Sequence, residues 1–173
     1  AIRIPRECRG ICADAVDTLY GRPRFSCIIL GAPGSGKTTA LRDMIRLFSE
    51  RGYRVGVADE RGEISGDGEF DLGPCSDVIT GLGKAESAML LLRGMNPQII
   101  AMDEITQSAD ADAIREVCCC GVELLATAHA RNADELRRRR VFAEMLDTGA
   151  FKYALNIRGT GSARSYELED LHV

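Results

Sequence analysis

Gly31-Ala32-Pro33-Gly34-Ser35-Gly36-Lys37-Thr38 fills every fixed position of G-x-x-x-x-G-K-[ST], and Thr39 follows directly. The segment lies between a short apolar run and a long amphipathic one, which is where this motif cradles phosphate. Its glycines let the backbone wrap an anion without Cβ clashes, while free amides and the positive end of a helix attract it. Lys37 reaches the β- and γ-phosphates, and the Thr38 hydroxyl offers a ligand to Mg2+. The expected nucleotide site is Gly31, Pro33, Gly34, Ser35, Gly36, Lys37, Thr38 and Thr39, with ATP and Mg2+ as cofactors. An ordinary glycine-rich turn with a solvated lysine explains the composition but not the register with both flanking runs.

Hydrolysis also needs a metal held on the far side and a group that orients water. Ile99-Ile100-Ala101-Met102 reads as a buried strand ending in Asp103-Glu104, so both carboxylates emerge at the sheet edge where ligands bind. Asp103 is placed as a metal ligand beside Thr38, and Glu104 as the catalytic group that polarises water. The plain alternative is a strand followed by an acidic turn. Asp59-Glu60-Arg61-Gly62-Glu63 follows another apolar run, and clustered acids there could position Mg2+ or water; a solvated loop is the rival reading. Thr127-Ala128-His129 follows a third. His129 could sense a γ-phosphate if its strand lay between the strands carrying the P-loop and Asp103; otherwise it satisfies loop carbonyls.

The elements that must position these groups follow from periodicity. Strands are expected over 26–30, 53–58, 98–102 and 122–126, with helices over 10–20, 38–51, 84–95 and 109–119. That alternation implies parallel pairing with helices on both faces. Residues 59–75, rich in glycine and acids, read as a long loop. Asn132 with Glu135 forms a capping box for a helix reaching about residue 146. Strands over 153–158 and 164–168, joined by Gly159-Thr160-Gly161-Ser162, read as a C-terminal hairpin with a tight turn. The fold class is α/β: a mostly parallel central sheet flanked by helices, closed by that hairpin.

Composition bounds the rest. With 173 residues, 45% hydrophobic and 28% charged, the chain can bury one core, so 1–173 is expected to form a single domain. A net charge of −4 argues against a general nucleic-acid coat or a polybasic membrane binder. Seven cysteines, three of them consecutive at Cys118, Cys119 and Cys120, do not suit a disulfide framework and point to a reducing cytoplasm. The consecutive three read as small buried residues, and Cys8 with Cys12 supplies too few ligands for zinc. No apolar stretch approaches the roughly 20 residues of a membrane helix, so no direct insertion is expected. Beginning at Ala1 without Met, the chain reads as the C-terminal part of something longer. The run Arg137 to Arg140 is a solvated helix end, an inter-protomer contact or a nucleic-acid contact.

Taken in order, the P-loop, Asp59-Glu60-Arg61-Gly62-Glu63, Leu92-Arg93-Gly94-Met95-Asn96-Pro97 leading into 99–105, and Ala126-Thr127-Ala128-His129 look like four blocks of one superfamily. The last three resemble the aspartate box, Walker B and histidine box of the secretion ATPases that power type II and type IV export and pilus machines. Within that superfamily the chain is most similar to the stage III sporulation AA family. Ile2-Arg3-Ile4-Pro5-Arg6-Glu7, Leu41-Arg42-Asp43 and Asp59-Glu60-Arg61 also fit it, and the match covers essentially the whole chain.

The resemblance implies a RecA-like P-loop motor core, a hexameric ring with ATP between protomers, and a peripheral place beneath membrane-embedded channel or secretion proteins. It implies a mother-cell cytoplasmic ATPase that powers assembly of, or transport through, such a complex during sporulation. By motif match Glu104 is the Walker B glutamate, Glu60 and Glu63 are aspartate-box acids, and His129 is the histidine-box residue. The family commonly has glycine where this chain has Asp103, so the metal role of Asp103 rests on the strand-end argument alone. An arginine supplied by a neighbour is expected, with Arg61, Arg115, Arg131, Arg158 and Arg164 as candidates. Two other functions compete: a nucleic-acid-stimulated translocase using Arg137 to Arg140, disfavoured by the acidic charge and few aromatics, and a soluble nucleotide phosphatase or kinase.

Overall fold

The computed structural model describes residues 8–106 and 108–171. The segment Ile2 to Glu7, which contributed to the family resemblance, lies outside the described residues. The elements run α1 (Ala13–Leu19), β1 (Cys27–Leu30), α2 (Lys37–Glu50), β2 (Val55–Asp59), β3 (Ser76–Thr80), α3 (Lys84–Gly94) and β4 (Ile99–Met102). They continue with α4 (Ser108–Cys119), β5 (Glu123–Ala128), α5 (Ala133–Arg137), α6 (Arg140–Asp147), β6 (Tyr153–Arg158) and β7 (Ser165–Asp170). The seven strands form one sheet in the order β3-β2-β4-β5-β1-β6-β7, parallel throughout except for the antiparallel β6–β7 hairpin.

Strand alternation divides the core into two layers. Ile28, Leu30, Ile100, Met102, Leu124 and Ala126 face one side, where Leu91 of α3, Ile114 of α4, Leu136 of α5 and Met145 of α6 cover them. Cys27, Ile29, Val55, Val57, Ile99 and Leu125 face the other, under α1 and the buried Leu41, Met44, Ile45 and Phe48 of α2. Strands buried on both faces must be apolar at every position, and β1 and β4 are.

Register decides what meets at the sheet's C-terminal edge. Leu30 aligns with Ala128, so the P-loop leaves β1 beside His129, the first residue past β5. Met102 aligns with Ala126, which sets Asp103 next to Thr127. Ala58 aligns with Met102, which brings 59–63 alongside the same acids. β5 lies between β1 and β4, the condition under which His129 reaches the glycine-rich loop after β1.

Several expectations are revised. β3 pairs with β2 in a stretch where no element was expected. β5 extends through Ala128, so Thr127 is a buried strand residue rather than part of the following loop. The single helix expected over 132–146 is two, because Arg139 is extended (φ −92°, ψ 119°) between α5 and α6. Its start behaves as read: Asn132 accepts the Glu135 amide at 2.9 Å and Glu135 accepts the Arg131 amide at 2.8 Å, a cap worth about 1 kcal/mol. The hairpin turn is not tight; 159–164 contains a 3-10 turn at Gly161–Ala163. All seven cysteines are free, and Cys119 and Cys120 are exposed rather than buried. Among the described residues no helix is long and apolar enough to cross a membrane.

Candidate nucleotide site

β1 delivers the P-loop and α2 begins within it at Lys37. Gly36 caps this helix at φ +99°, a left-handed conformation open to glycine, and no side chain caps the first-turn amides. Those amides therefore face outward for an anion. A Cβ on Gly31 would stand 2.4 Å from the Ser35 hydroxyl oxygen, so a side chain there would displace that hydroxyl.

The Lys37 ammonium is folded back into the loop, donating to the carbonyls of Gly31 and Ala32 at 3.0 Å each. It also lies 2.8 Å from Nδ1 of His129. An ammonium only donates, so Nδ1 accepts and the ring proton sits on Nε2, which is 2.9 Å from Oε1 of Glu104. Burial pushes Lys37 below the ordinary lysine range, opposed by the nearby charges of Asp103 and Glu104.

Thr38 donates its hydroxyl to Oδ2 of Asp103 at 2.7 Å, and the Thr127 hydroxyl holds Oδ1 of the same carboxylate. Hydroxyl and carboxylate thus stand side by side, oriented by a residue from the intervening strand. No described cluster of three His, Cys, Asp or Glu side chains could form a protein cage for a metal. Few protein oxygens plus phosphate oxygens is the way Mg2+ is usually held, so the hard-oxygen pair Thr38–Asp103 fits that ion. The buried Ser35 hydroxyl has no hydrogen-bond partner and completes a polar rim.

Glu104 has φ +44°, a strained value for a residue with a side chain, costing about 1–3 kcal/mol. Its amide donates to Oδ1 of Asp103 at 3.0 Å and to the Thr127 hydroxyl at 2.9 Å. Its carbonyl accepts from Lys84 at 3.0 Å. The backbone is pinned from three sides, which fixes where the carboxylate points.

Lys84, which no motif marks, also reaches this cluster. Its side chain is 11% exposed, and its ammonium also lies 3.4 Å from Glu60 and 3.7 Å from Asp110. One signal was available: a cation at the first position of a helix opposes the helix dipole, so its placement there calls for nearby acids. Thr127 was read only as part of a motif, although it orients both Asp103 and Glu104.

The cluster at 59–63 divides. Asp59, 2% exposed, accepts the amides of Ile64 and Ser65 and the Ser65 hydroxyl, so it braces its own loop. Glu60 instead faces the cleft through Lys84. Arg61 reaches within 3.9 Å of Glu104 while staying 70% exposed. Arg42 of α2 donates to the carbonyls of Glu63 and Ile64 and stacks on the Phe70 ring, fastening this loop to the P-loop helix. Asp59, Glu60, Arg61 and Glu63 line a small cleft with Lys84, Asp103 and Glu104. The glycine-rich loop, the Thr38–Asp103 pair and Glu104 therefore meet at one edge, together with His129 and Glu60.

The sequence pattern of the family described as "Sporulation stage III, protein AA" matches residues 1–164. "Stage III sporulation protein AA" of Bacillus subtilis (strain 168) is 33% identical over 165 residues, covering 90% of this chain and 54% of that protein. Among solved structures, the ATPase DotB of Legionella pneumophila superimposes with a TM-score of 0.68 at 20% identity, covering 90% of this chain and 47% of that one. The VirB11 ATPase of the Brucella suis type IV secretion system, solved with sulphate, gives a TM-score of 0.66 at 16% identity, covering 91% and 50%. The chain thus spans about half the length of these relatives, and the structural likeness identifies its fold with that of P-loop ATPases.

Proposed function

The chain belongs to the sporulation stage III protein AA family, and from that premise we propose that residues 1–173 form one Mg2+-dependent ATPase motor domain of a longer protein. The observation that carries the reading is the meeting, at one sheet edge, of Lys37, the Thr38–Asp103 pair and Glu104.

The amides of Gly34 to Thr38 and the Lys37 ammonium bind the phosphates. Lys37 exchanges the carbonyls of Gly31 and Ala32 for phosphate oxygens, and His129 loses its partner on that side. Thr38 and Asp103 would hold Mg2+, which neutralises phosphate charge and orients the leaving group. Glu104, its backbone pinned by Asp103, Thr127 and Lys84, accepts a proton from the attacking water or holds it in line. Glu60 acts at one remove, through Lys84.

We further propose a hexameric ring in the cytoplasm, docked on membrane-embedded channel or secretion proteins, with an arginine from a neighbour completing the charge. Such a contact is worth about 10³ to 10⁵ in rate in other NTPases. Arg61 stands 3.9 Å from Glu104 of its own chain, so its contact with the cleft is made in cis. The nucleic-acid reading is the weaker of the two, because Asp134, Glu135 and Glu144 stand beside Arg137, Arg139 and Arg140 and offset the positive charge of that run.

The test is ATP hydrolysis by wild type and Glu104→Gln across protein concentration, with sizing in ATP. Turnover per protomer is expected to rise with assembly and to collapse in the variant. Equal turnover in diluted and assembled protein would refute the ring mechanism, and undiminished turnover in Glu104→Gln would refute the chemistry.

A further inference from the structure

We propose that Arg164 is a nucleotide contact supplied in cis by the C-terminal hairpin, its guanidinium binding the α,β-diphosphate common to ADP and ATP. This rests on the reading of the P-loop as a nucleotide site and adds a ligand-binding residue from the opposite side of that loop.

Register brings Arg164 there. β6 pairs in parallel with β1, Leu30 aligning with Asn156, so the hairpin connection hangs over the edge from which the P-loop emerges. Gly159 lets that connection close on itself: its φ is +76°, and a Cβ would stand 2.4 Å from the Ala163 carbonyl oxygen. The chain then aims Arg164 back over the loop. A Cβ on Gly36 would lie 3.3 Å from Nη1 and 3.4 Å from Cζ, which puts the guanidinium against the backbone at the start of α2.

The electrostatics of this placement call for an anion. The Nε of Arg164 is buried with no hydrogen-bond partner. Among the described residues no carboxylate stands within ion-pair distance of it, whereas Arg158 at the other end of the same turn pairs with Glu167 at 3.3 Å. A cation resting on the positive end of a helix is repelled rather than held. Lys37 has carbonyl and imidazole partners in the same loop, but Arg164 has neither. A guanidinium fork matches phosphate oxygens, and a polyphosphate at the amides of α2 would satisfy it and offset the repulsion.

Position within the sheet also separates Arg164 from a γ-phosphate finger. β4, carrying Asp103 and Glu104, lies on one side of β1, and the β6–β7 hairpin lies on the other. Arg164 therefore approaches away from the end of the nucleotide that is cleaved, and its contribution is to binding.

The experiment is calorimetric or fluorescence binding of ADP and of a non-hydrolysable ATP analogue to wild type, Arg164→Ala, Arg164→Lys and Lys37→Ala, with full chains diluted below assembly. Arg164→Ala is expected to weaken both nucleotides by the same factor, about tenfold or more, and Arg164→Lys to recover part of that loss. ADP affinity within twofold of wild type in Arg164→Ala, with Lys37→Ala impaired, overturns the role of Arg164 and leaves the P-loop reading intact. A loss confined to the ATP analogue overturns it too, in favour of a γ-phosphate role. A wild type that binds neither nucleotide overturns both. Should Arg164→Ala fail to fold, Arg164→Gln takes its place: ADP affinity within twofold of wild type rejects the contact, and a loss of about tenfold that Arg164→Lys partly recovers supports it.

Discussion

His129 Nε2 lies 2.9 Å from Glu104 Oε1 while Nδ1 of the same ring lies 2.8 Å from the Lys37 ammonium. One imidazole thus links the lysine proposed to grip phosphate to the carboxylate proposed to prepare water. The bridge exists because β5 lies between β1 and β4, so its first residue beyond the strand reaches both neighbours. On the proposed function, nucleotide arrival would draw Lys37 toward phosphate, break one half of this bridge and leave His129 with Glu104 alone.

Glu104→Gln keeps the shape and removes the charge. Nucleotide affinity is expected to change little, while kcat falls by about 10²-fold or more, the usual worth of a positioned acid–base group. Single-turnover hydrolysis measured beside nucleotide binding separates the two effects; an equal loss in both would reassign Glu104 to binding.

His129→Ala removes a competitor for Lys37 and a partner of Glu104 in one step. The expected result is a kcat lowered by about tenfold with KM unchanged or reduced. A raised KM at normal kcat would mean that the ring holds the substrate rather than the carboxylate.

Lys84 holds the Glu104 carbonyl and lies between Glu60 and Asp110. Lys84→Met leaves these acids uncompensated in a partly buried site and frees the strained backbone of Glu104. Stability is expected to fall by about 1–3 kcal/mol, and kcat to drop more than KM rises. Lys84→Arg restores the charge but not the compact fit, so it should recover stability before turnover. Urea melts and steady-state kinetics on both variants check this.

Burial lowers Lys37 from 10.5, and Asp103 and Glu104 pull it back up. Only the charged form grips phosphate, so ADP affinity should decline as pH rises through the lowered value, earlier than for a solvated lysine. Neutralising one acid weakens the upward pull. In Glu104→Gln the decline should therefore begin at lower pH, as read by ADP dissociation constants across about pH 7 to 10. The stability contribution has the opposite sense. The charged ammonium is disfavoured in the folded state, and that penalty, complete below the lowered value, fades as pH rises from it toward 10.5.

What could be read from the chain alone was whatever declares itself locally. β1, the P-loop and α2 are contiguous and apolar or motif-bearing, and β4 ends visibly in Asp103-Glu104. β3 was invisible because it is an edge strand: Ser76–Thr80 is largely exposed and needs no apolar run to pair with β2. The break at Arg139 was hidden by good helix formers on both sides. Lys84 escaped notice for a different reason: it meets Glu60 and the Glu104 carbonyl through sheet order and register, and a lysine at a helix start looks solvated until the fold is built. Arg164 was legible only as a candidate to act on a neighbour, because its place over Gly36 of its own chain depends on the pairing of β6 with β1.

Asp59 and Glu60 are adjacent yet differ in burial and partners, and their variants are expected to differ accordingly. Asp59 is buried and spends both oxygens on Ile64 and Ser65, closing the start of the loop that Arg42 fastens to α2. Asp59→Ala strands two buried amides, so stability should fall by about 2–4 kcal/mol, with nucleotide affinity of the surviving folded protein little changed. Glu60 is 44% exposed and touches the site only through Lys84. Glu60→Ala should cost less than about 1 kcal/mol but lower kcat. Thermal melts and kinetics of the pair decide the matter: if Asp59→Ala melts like wild type and abolishes hydrolysis, the first acid of the cluster, not the second, belongs to the chemistry.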